Sequence, residues 1–245
     1  MIHRTRHESP ASPRPAILLF GKGGTARHAF PILYDLYRAD GKPFPMRSIY
    51  VDTEPGTIPE VDVKLDLGLT PDDVAALTAD PGLIGPMAEL MYANYPQFLQ
   101  PESIRNGSRT IRLNTQLAVE YHLDRIQRVL HQVIRDLVRH GGVNQILPVF
   151  FGSTGGGAGS ALIVLWGLLF ADRDFRANIT SGLSPNLLDV PVAVVTEPFA
   201  YALKHRARHA AKILANGCAF RIETALIESL NCFQYIFSQG LANDG

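Results

Sequence analysis

The sequence predicts an α/β fold, a doubly wound and mostly parallel sheet with helices on both faces. Short apolar runs, typical of strands buried on both faces, alternate along the chain with stretches of helical periodicity. Two of these runs lead directly into glycine-rich turns, which begin at Gly21 and Gly152. Alternating strands and helices form parallel sheets, and such sheets bind ligands at the carboxyl ends of their strands.

Each predicted strand depends on a short apolar or alternating run. Most runs are continuously apolar, such as AILLF at 16–20 and VPVAVVT at 190–196. The run VDVKLDL at 61–67 alternates instead, which indicates a strand at an edge of the sheet. The predicted strands cover residues 16–20, 47–52, 61–67, 145–151, 190–196 and 221–230.

Helices are predicted where apolar residues recur every three or four positions. The longest covers 114–140, and Gly141 and Gly142 end it. The segment 161–170 is apolar on all sides, which indicates a buried helix. The other predicted helices run from the first glycine turn to about residue 38, over 199–214 and over 233–237.

Composition indicates one globular domain. Lys plus Arg and Asp plus Glu number 23 each, so the charge balance excludes a general affinity for nucleic acid or anionic membranes. The longest apolar run, 161–171, is too short to span a bilayer. We expect a disordered basic tail over 1–15, one domain over 16–245, and an insertion or long loop over 80–107. Cys218 and Cys232 show no ligand spacing and are interpreted as core residues of a cytoplasmic protein.

The two glycine turns predict an anion site. A turn between a strand and a helix directs backbone N–H groups at one point, and the helix dipole adds partial positive charge. The second turn carries two hydroxyls, Thr154 and Ser160, beside its glycines. For the first turn alone, phosphate binding and tight strand–helix packing remain equally open. No Lys stands where a Walker loop needs one, and a dinucleotide fingerprint would have Gly where the chain has Ala26.

Four sequence motifs resemble the tubulin/FtsZ superfamily of GTP-binding cytoskeletal proteins. GGGAGSA at 155–161 matches the family signature GGGTGSG at five of seven positions. GKGGTA at 21–26, YVDTEPGTI at 50–58 and VVTEPF at 194–199 are similar to three further family loops and follow in the same order. The resemblance covers about 16–237, is weakest over 69–114, and implies a Rossmann-like nucleotide-binding domain.

The resemblance implies GTP or GDP with Mg²⁺ as ligands. Glu54 would stand near the magnesium through water, Thr196 near the sugar and Asn231 near the guanine, while Asp52 is either structural or ribose-facing. The implied contacts are Gly21, Gly23, Gly24, Thr25, Asp52, Glu54, Thr154, Gly155, Gly156, Gly157, Ala158, Gly159, Ser160, Thr196, Arg206 and Asn231. Three arginines could reach a γ-phosphate or lie in a plain surface loop: Arg105, Arg109 and Arg112.

The chain also departs from the family. Ala202 replaces an acid that normally accompanies the arginine at Arg206. The family's later helix and its hydrolytic acid are expected to be missing, which would leave apolar sheet surface for a second copy or another subunit to cover. We expect a tubulin-like GTP-binding protein, a filament-forming GTPase only if that acid is supplied. A Rossmann-type dinucleotide enzyme and a non-catalytic nucleotide-binding regulator remain alternatives.

Overall fold

The strands form one parallel sheet at the centre of the molecule. A computed structural model describes residues 15–53, 60–80, 112–198 and 207–239. The strands are β1 (Pro15–Lys22), β2 (Met46–Asp52), β3 (Val63–Asp66), β4 (Gln145–Ser153), β5 (Val192–Thr196) and β6 (Tyr235–Gln239). Their order in the sheet is β3-β2-β1-β4-β5-β6, and every neighbouring pair is parallel. This order confirms the predicted doubly wound, Rossmann-like α/β fold, with the 61–67 segment at an edge.

Helices pack on both faces of the sheet. They are α1 (Gly23–Ala39), α2 (Pro71–Ala79), α3 (Arg112–Tyr121), α4 (Leu123–Gly141), α5 (Gly157–Ala171), α6 (Arg173–Ile179) and α7 (Ala207–Leu226), followed by a 3₁₀ turn at Glu228–Leu230. Alternate residues of β1 face opposite sides, so Leu18 and Phe20 enter the larger core while Leu19 packs with Phe30 of α1.

The larger core is built around a cluster of aromatic rings. Phe20 of β1 and Phe150 of β4 lie 5.2 Å apart edge to face, and Phe20 lies 4.9 Å from Trp166 of α5. Phe170 closes the cluster from the next turn of α5. All four side chains are fully buried. The cluster fixes α5 across the two central strands, and α5 begins at the second glycine turn.

The structure corrects the sequence prediction most at the end of the described chain. The segment 221–230, predicted as a strand, forms the end of α7 and the 3₁₀ turn, and 235–237, the larger part of the helix predicted over 233–237, are the first three residues of β6. The buried positions of α7 follow helical spacing at Ile213, Asn216, Gly217 and Phe220. Because Asn216 and Gly217 are not apolar, the sequence did not show that the helix predicted over 199–214 continues to residue 226.

Smaller differences concern helix bounds and cysteines. The helix predicted over 114–140 is two helices, α3 and α4, which meet at His122, and Gly142 ends α4 with a φ of 58°. Cys232 is buried as predicted, but Cys218 is exposed on α7. No helix in the described ranges is long and apolar enough to cross a membrane. The predicted tail and insertion lie outside the described residues, apart from Pro15 and Asp80.

We predict that the position of α5 depends on a glycine facing an aromatic ring. A Cβ at Gly167 would lie 2.4 Å from the ring of Phe233, so Gly167→Ala should lower the free energy of unfolding by about 1–3 kcal/mol through overpacking. The smaller side chain of Phe233→Leu should recover at least about 1 kcal/mol of that loss in the double variant. Urea denaturation of the four proteins measures this coupling, and additive effects would contradict it.

Candidate functional site

The two central strands end side by side, each at the start of a helix. β1 and β4 are paired in register, with Lys22 opposite Gly152. The chain order in the sheet reverses between these two strands, which is where doubly wound folds bind ligands. The helices α1 and α5 begin close beyond the strands, at Gly23 and Gly157. Both predicted glycine turns therefore lie at one place on the carboxyl edge of the sheet.

The two turns are in contact through their glycines. Gly23 has a φ of 70°, in the left-handed region where residues with a side chain are strained. A Cβ on Gly23 would lie 3.4 Å from the backbone nitrogen of Gly159 and 3.9 Å from the Cβ of Ala158. Segments more than 130 residues apart in sequence thus approach each other through main-chain atoms.

Three further glycines are explained by packing alone. A Cβ at Gly21 would lie 2.2 Å from the ring of Phe30, and one at Gly159 would lie 2.6 Å from the carbonyl oxygen of Ser153. A Cβ at Gly155 would lie 2.8 Å from the side chain of Ile213. At such distances a side chain would force neighbouring atoms to move, so packing explains these glycines whether or not a ligand binds.

Two glycines have no such structural requirement. Among the described residues, a Cβ at Gly24 would meet nothing within 4 Å, and one at Gly156 would meet only the nitrogen of Gly159, at 3.9 Å. Gly156 has a φ of −80° and a ψ of 150°, which any residue adopts. Gly24 is exposed and Gly156 is half-buried. Open space beside glycine at a helix start is what the close approach of a ligand to the backbone requires.

Both helix starts lack a side-chain cap. Lys22 precedes α1, and its side chain does not bond the first turn, whereas Gly156, which precedes α5, has no side chain to do so. The first turns also contain no acidic residue. By contrast, Thr70 and Asp172 cap α2 and α6 with side-chain oxygens. The first N–H groups of α1 and α5 have no partner in their own helices, so they are available to an anion or to water.

The predicted hydroxyl groups mostly hold the second turn in shape. The N–H and hydroxyl of Thr154 both donate to the carbonyl oxygen of Thr196, at 3.0 and 3.2 Å. The hydroxyl of Ser160 donates to the carbonyl oxygen of Gly156 at 2.5 Å. The hydroxyl of Thr196 is buried without a hydrogen-bond partner among the described residues. Thr196 is therefore the hydroxyl best placed to gain a bond from a ligand.

Asn216 stabilises the second turn through a hydrogen bond, and the sequence did not predict this role. Its side-chain amide donates to the carbonyl oxygen of Gly155 at 3.1 Å, and the residue is buried on α7. Gly217, next to it, leaves room for Pro198, which a Cβ would approach to 2.6 Å. The contact joins residues 61 positions apart, and no local sequence signal indicates it.

Asp52 lies at the carboxyl end of β2, next to β1. Its carboxylate accepts hydrogen bonds from the Tyr50 hydroxyl at 2.6 Å and the Thr53 N–H at 2.8 Å. Burial, followed by the charge and hydrogen bond of Asp52, raises the pKa of Tyr50 well above its usual value. The phenol therefore stays protonated and keeps donating. These hydrogen bonds hold Asp52 in place at the carboxyl end of β2, and they are compatible with both the structural and the ribose-facing interpretation.

The structure does not bring all the predicted contacts together. Asn231 follows the 3₁₀ turn before β6, and the nearby N–H of Gln234 donates to the carbonyl oxygen of Pro191, ahead of β5. Asn231 therefore lies at the amino edge of the sheet, opposite the glycine turns. Thr25 is half-buried in the first turn of α1, close to them.

The predicted charged contacts also lie elsewhere or outside the described residues. Arg112 forms an ion pair with Glu223 of α7 and is not directed at the glycine turns. The remaining four lie outside the described residues: Glu54, Arg105, Arg109 and Arg206. Within the described ranges, no cluster of three or more His, Cys, Asp or Glu side chains could hold a metal.

Lys22, in the first glycine turn, was not predicted as a site residue, because it does not occupy the position of a Walker lysine. It is fully buried, and its ammonium nitrogen donates to the carbonyl oxygen of Leu162 in α5 at 3.0 Å. The nitrogen also lies 3.9 Å from the ring centre of Phe150 and 5.1 Å from that of Trp166. Lys22 thus links the first glycine turn to the helix that starts at the second.

Burial dominates the ionisation of Lys22. Cation–π contacts favour the charged amine by about 2 kcal/mol when they are desolvated, whereas the loss of hydration opposes it by several kcal/mol. Desolvation accordingly lowers the pKa of Lys22 well below its usual value. The side chain acts as a packed cross-link between β1 and α5, directed into the core, and not as a cationic ligand for an anion at the sheet edge.

A separate cavity of about 330 Å³ lies at the amino edge of the sheet. Its lining includes Tyr34, Arg38, Arg47 and Asp62. Arg47 donates to Asp62 at 3.0 Å, as Tyr34 does at 3.1 Å, and Arg38 pairs with Glu60 at 2.8 Å. These polar groups are satisfied by one another, so the cavity needs no ligand to explain its composition.

No model of a known protein family matches the chain, and no curated protein matches it significantly. The family resemblance of the sequence motifs therefore remains a prediction.

We predict that removing the buried amine stabilises the fold. Lys22→Met keeps the length of the side chain and should raise the free energy of unfolding at pH 7 by about 1–3 kcal/mol, since it removes the desolvation penalty. Between the lowered pKa of the folded state and the usual value of 10.5, the unfolded chain binds more protons. The wild type should therefore gain stability as the pH rises from 7 to 10, and the difference should shrink.

Denaturation midpoints at several pH values measure this effect. Lys212, exposed on α7, supplies the matched control, because Lys212→Met should leave the pH dependence of stability unchanged. Lys22→Arg, which places a permanently charged guanidinium in the same buried site, should destabilise the protein. A Lys22→Met variant less stable than wild type at pH 7 would contradict the prediction.

Proposed function

We propose that the chain binds a nucleoside triphosphate, GTP in the manner of the tubulin/FtsZ superfamily, between its two glycine turns. The observation that carries this proposal is the pair Gly24 and Gly156. Each stands at the start of a helix, and no described residue fills the space where a side chain would be, apart from the 3.9 Å contact of Gly156 with the nitrogen of Gly159. They flank the contact between Gly23 and Gly159, so a single polyphosphate could lie against both turns.

The chemistry of the turns fits a phosphate chain. N–H groups of α1 would bind it from one side and those of α5 from the other, and each helix start contributes about half a positive charge. Lys22 points away from the site, into the core. The two helix dipoles leave most of a triphosphate's charge unbalanced, so we expect it to bind with Mg²⁺, which typically keeps several waters and needs few protein ligands.

The preference for guanine rests on the sequence motifs at 155–161, 50–58 and 194–199, which resemble the family's loops. Thr196, the last residue of β5 and part of the third motif, would offer its buried hydroxyl to the sugar. The proposal covers binding, and no described residue is assigned to hydrolysis. We place the protein in the cytoplasm, where GTP is available and exposed thiols such as Cys218 stay reduced.

A dinucleotide-binding enzyme is the second candidate. The observed strand order is that of dinucleotide-binding folds, and Gly21 and Gly23 fit the variant of the fingerprint in which alanine, here Ala26, replaces the third glycine. Asp52 lies at the strand end where an acid would bind the ribose. That fold needs one glycine turn for one pyrophosphate, however, and it leaves the open glycine at Gly156 unexplained.

Nucleotide titrations separate these candidates. Fluorescent GTP and ATP analogues, and NADH, are each titrated with the purified chain in Mg²⁺ and again in EDTA. We expect GTP to bind most tightly, with an affinity that falls on magnesium removal. Tight NADH binding without GTP binding would overturn the proposal. Binding without phosphate release would identify the regulator, and light scattering that rises with GTP would identify a filament former.

We predict that alanine at the open glycines blocks the ligand without harming the fold. Gly24→Ala and Gly156→Ala should each weaken GTP binding tenfold or more, because the new methyl group occupies the space of the phosphates. Gly24→Ala should raise the free energy of unfolding by about 0.5–1 kcal/mol, since alanine is the better helix former.

Isothermal calorimetry and denaturation of the same samples test both effects. Ile32, exposed on α1 further from the turn, gives the control Ile32→Ala, which should leave the GTP affinity unchanged. Unchanged GTP affinity in both glycine variants would show that no ligand approaches these positions.

A further inference from the structure

The strand β6 forms one edge of the sheet and lacks the features that protect edges. It pairs with β5 on one side, and no other described strand pairs with it. Its sequence, YIFSQ, contains no charge, proline or glycine. Exposed edge strands usually carry such residues because their free backbone groups otherwise recruit another strand.

The outward backbone groups of β6 can be identified from its start. The N–H of Gln234 donates to the carbonyl oxygen of Pro191 at 2.8 Å, towards β5. Amide directions alternate along a strand, so the N–H groups of Tyr235, Phe237 and Gln239 point away from β5. These three residues therefore present a row of donors and acceptors to the outside.

Both faces of β6 expose large apolar side chains. Tyr235 and Phe237 are 59% and 56% exposed and lie on one face, with ring centres 5.9 Å apart. Ile236, which is 39% exposed, lies on the other. Ile236 is paired with Ala193, a residue of the larger core, so it shares a face with α5.

A groove between α7 and β6 adjoins this surface, whereas the most exposed apolar residues of α7 lie on the face opposite its buried positions. Ile222 and Leu226 are one helical turn apart, and both are more than 60% exposed. Thr224 and Ala225, between them in sequence, line a groove together with Tyr235 and Ile236. Leu230, after the 3₁₀ turn that follows α7, is also exposed.

We propose that a second copy of this chain docks on β6, with the two β6 strands antiparallel about a two-fold axis perpendicular to the sheet. This pairing joins the two sheets into one and satisfies the outward backbone groups. It also brings Tyr235 and Phe237 of both copies together on one face, where cross-strand aromatic pairs are favourable. The proposal goes beyond nucleotide binding and does not depend on it.

Charge and area both favour a second copy as the occupant. Identical copies repel when a surface has one sign of charge, but β6 has none, and the adjoining groove carries both Arg221 and Glu228. Tyr235, Ile236 and Phe237 present roughly 300 Å² of exposed apolar surface per copy beside the paired edge, a substantial part of the about 800 Å² per partner in a typical stable interface. Paired backbone supplies part of the remainder.

Sedimentation equilibrium of the nucleotide-free chain tests the proposal. We expect a dimer at micromolar concentrations and a dissociation constant raised at least tenfold by Phe237→Lys, which places a charge in the apolar pair. Leu36, equally exposed on α1, gives the control Leu36→Lys, which should leave the dimer intact. A monomeric wild type, or a dimer that survives Phe237→Lys, would overturn the proposal.

Hydrogen exchange of the wild type provides a readout that needs no variant. The amides of Tyr235, Phe237 and Gln239 should be protected at high protein concentration and exchange at least tenfold faster on dilution. Protection that persists in a monomer would mean that another part of the chain covers β6, and it would overturn the proposal. GTP affinity measured on Phe237→Lys should equal that of wild type, so failure of one proposal leaves the other intact.

Discussion

The parallel pairing of β1 with β4 is the constraint on which the rest of the structure depends. It places strands from distant parts of the chain in register and brings two glycine turns to the same edge of the sheet. In the sheet, β2 lies beside β1 and β5 lies beside β4, on opposite sides of this pair. No described strand therefore covers the glycine turns. Every contact at the candidate site, from Gly23 against Gly159 to the Asn216 brace, presupposes this pairing.

The geometry of the candidate site is fixed mainly by buried residues beneath the glycine turns, which a ligand would not contact. Lys22 and the aromatic cluster fix α5 on the central strands, and Asn216 fixes the second turn from α7. A buried amine with one hydrogen bond is an unfavourable way to fill a core. Lys22 does, however, join the first glycine turn to α5. The distance between the backbone groups of the two turns is therefore fixed before a ligand binds.

The described chain covers the centre of the sheet more completely than it covers the edge strand β6. The candidate site lies among buried, tightly packed residues at the centre, whereas β6 leaves apolar side chains in solvent on both faces. Binding of a small ligand at the centre needs rigid backbone, since its donors must stay aligned. Association at the edge needs open backbone groups and apolar area, and β6 offers both.

The sequence by itself determined the alternation of strands and helices, both glycine turns and the edge position of β3, because these follow from local periodicity and turn chemistry. It did not show that α7 continues through 221–226, since the helix buries Asn216 and Gly217 beside apolar residues. Nor did it separate glycines needed for packing, such as Gly21, from the open Gly24. Only the tertiary structure decided these, because each depends on a neighbour that is distant in sequence or has no local pattern.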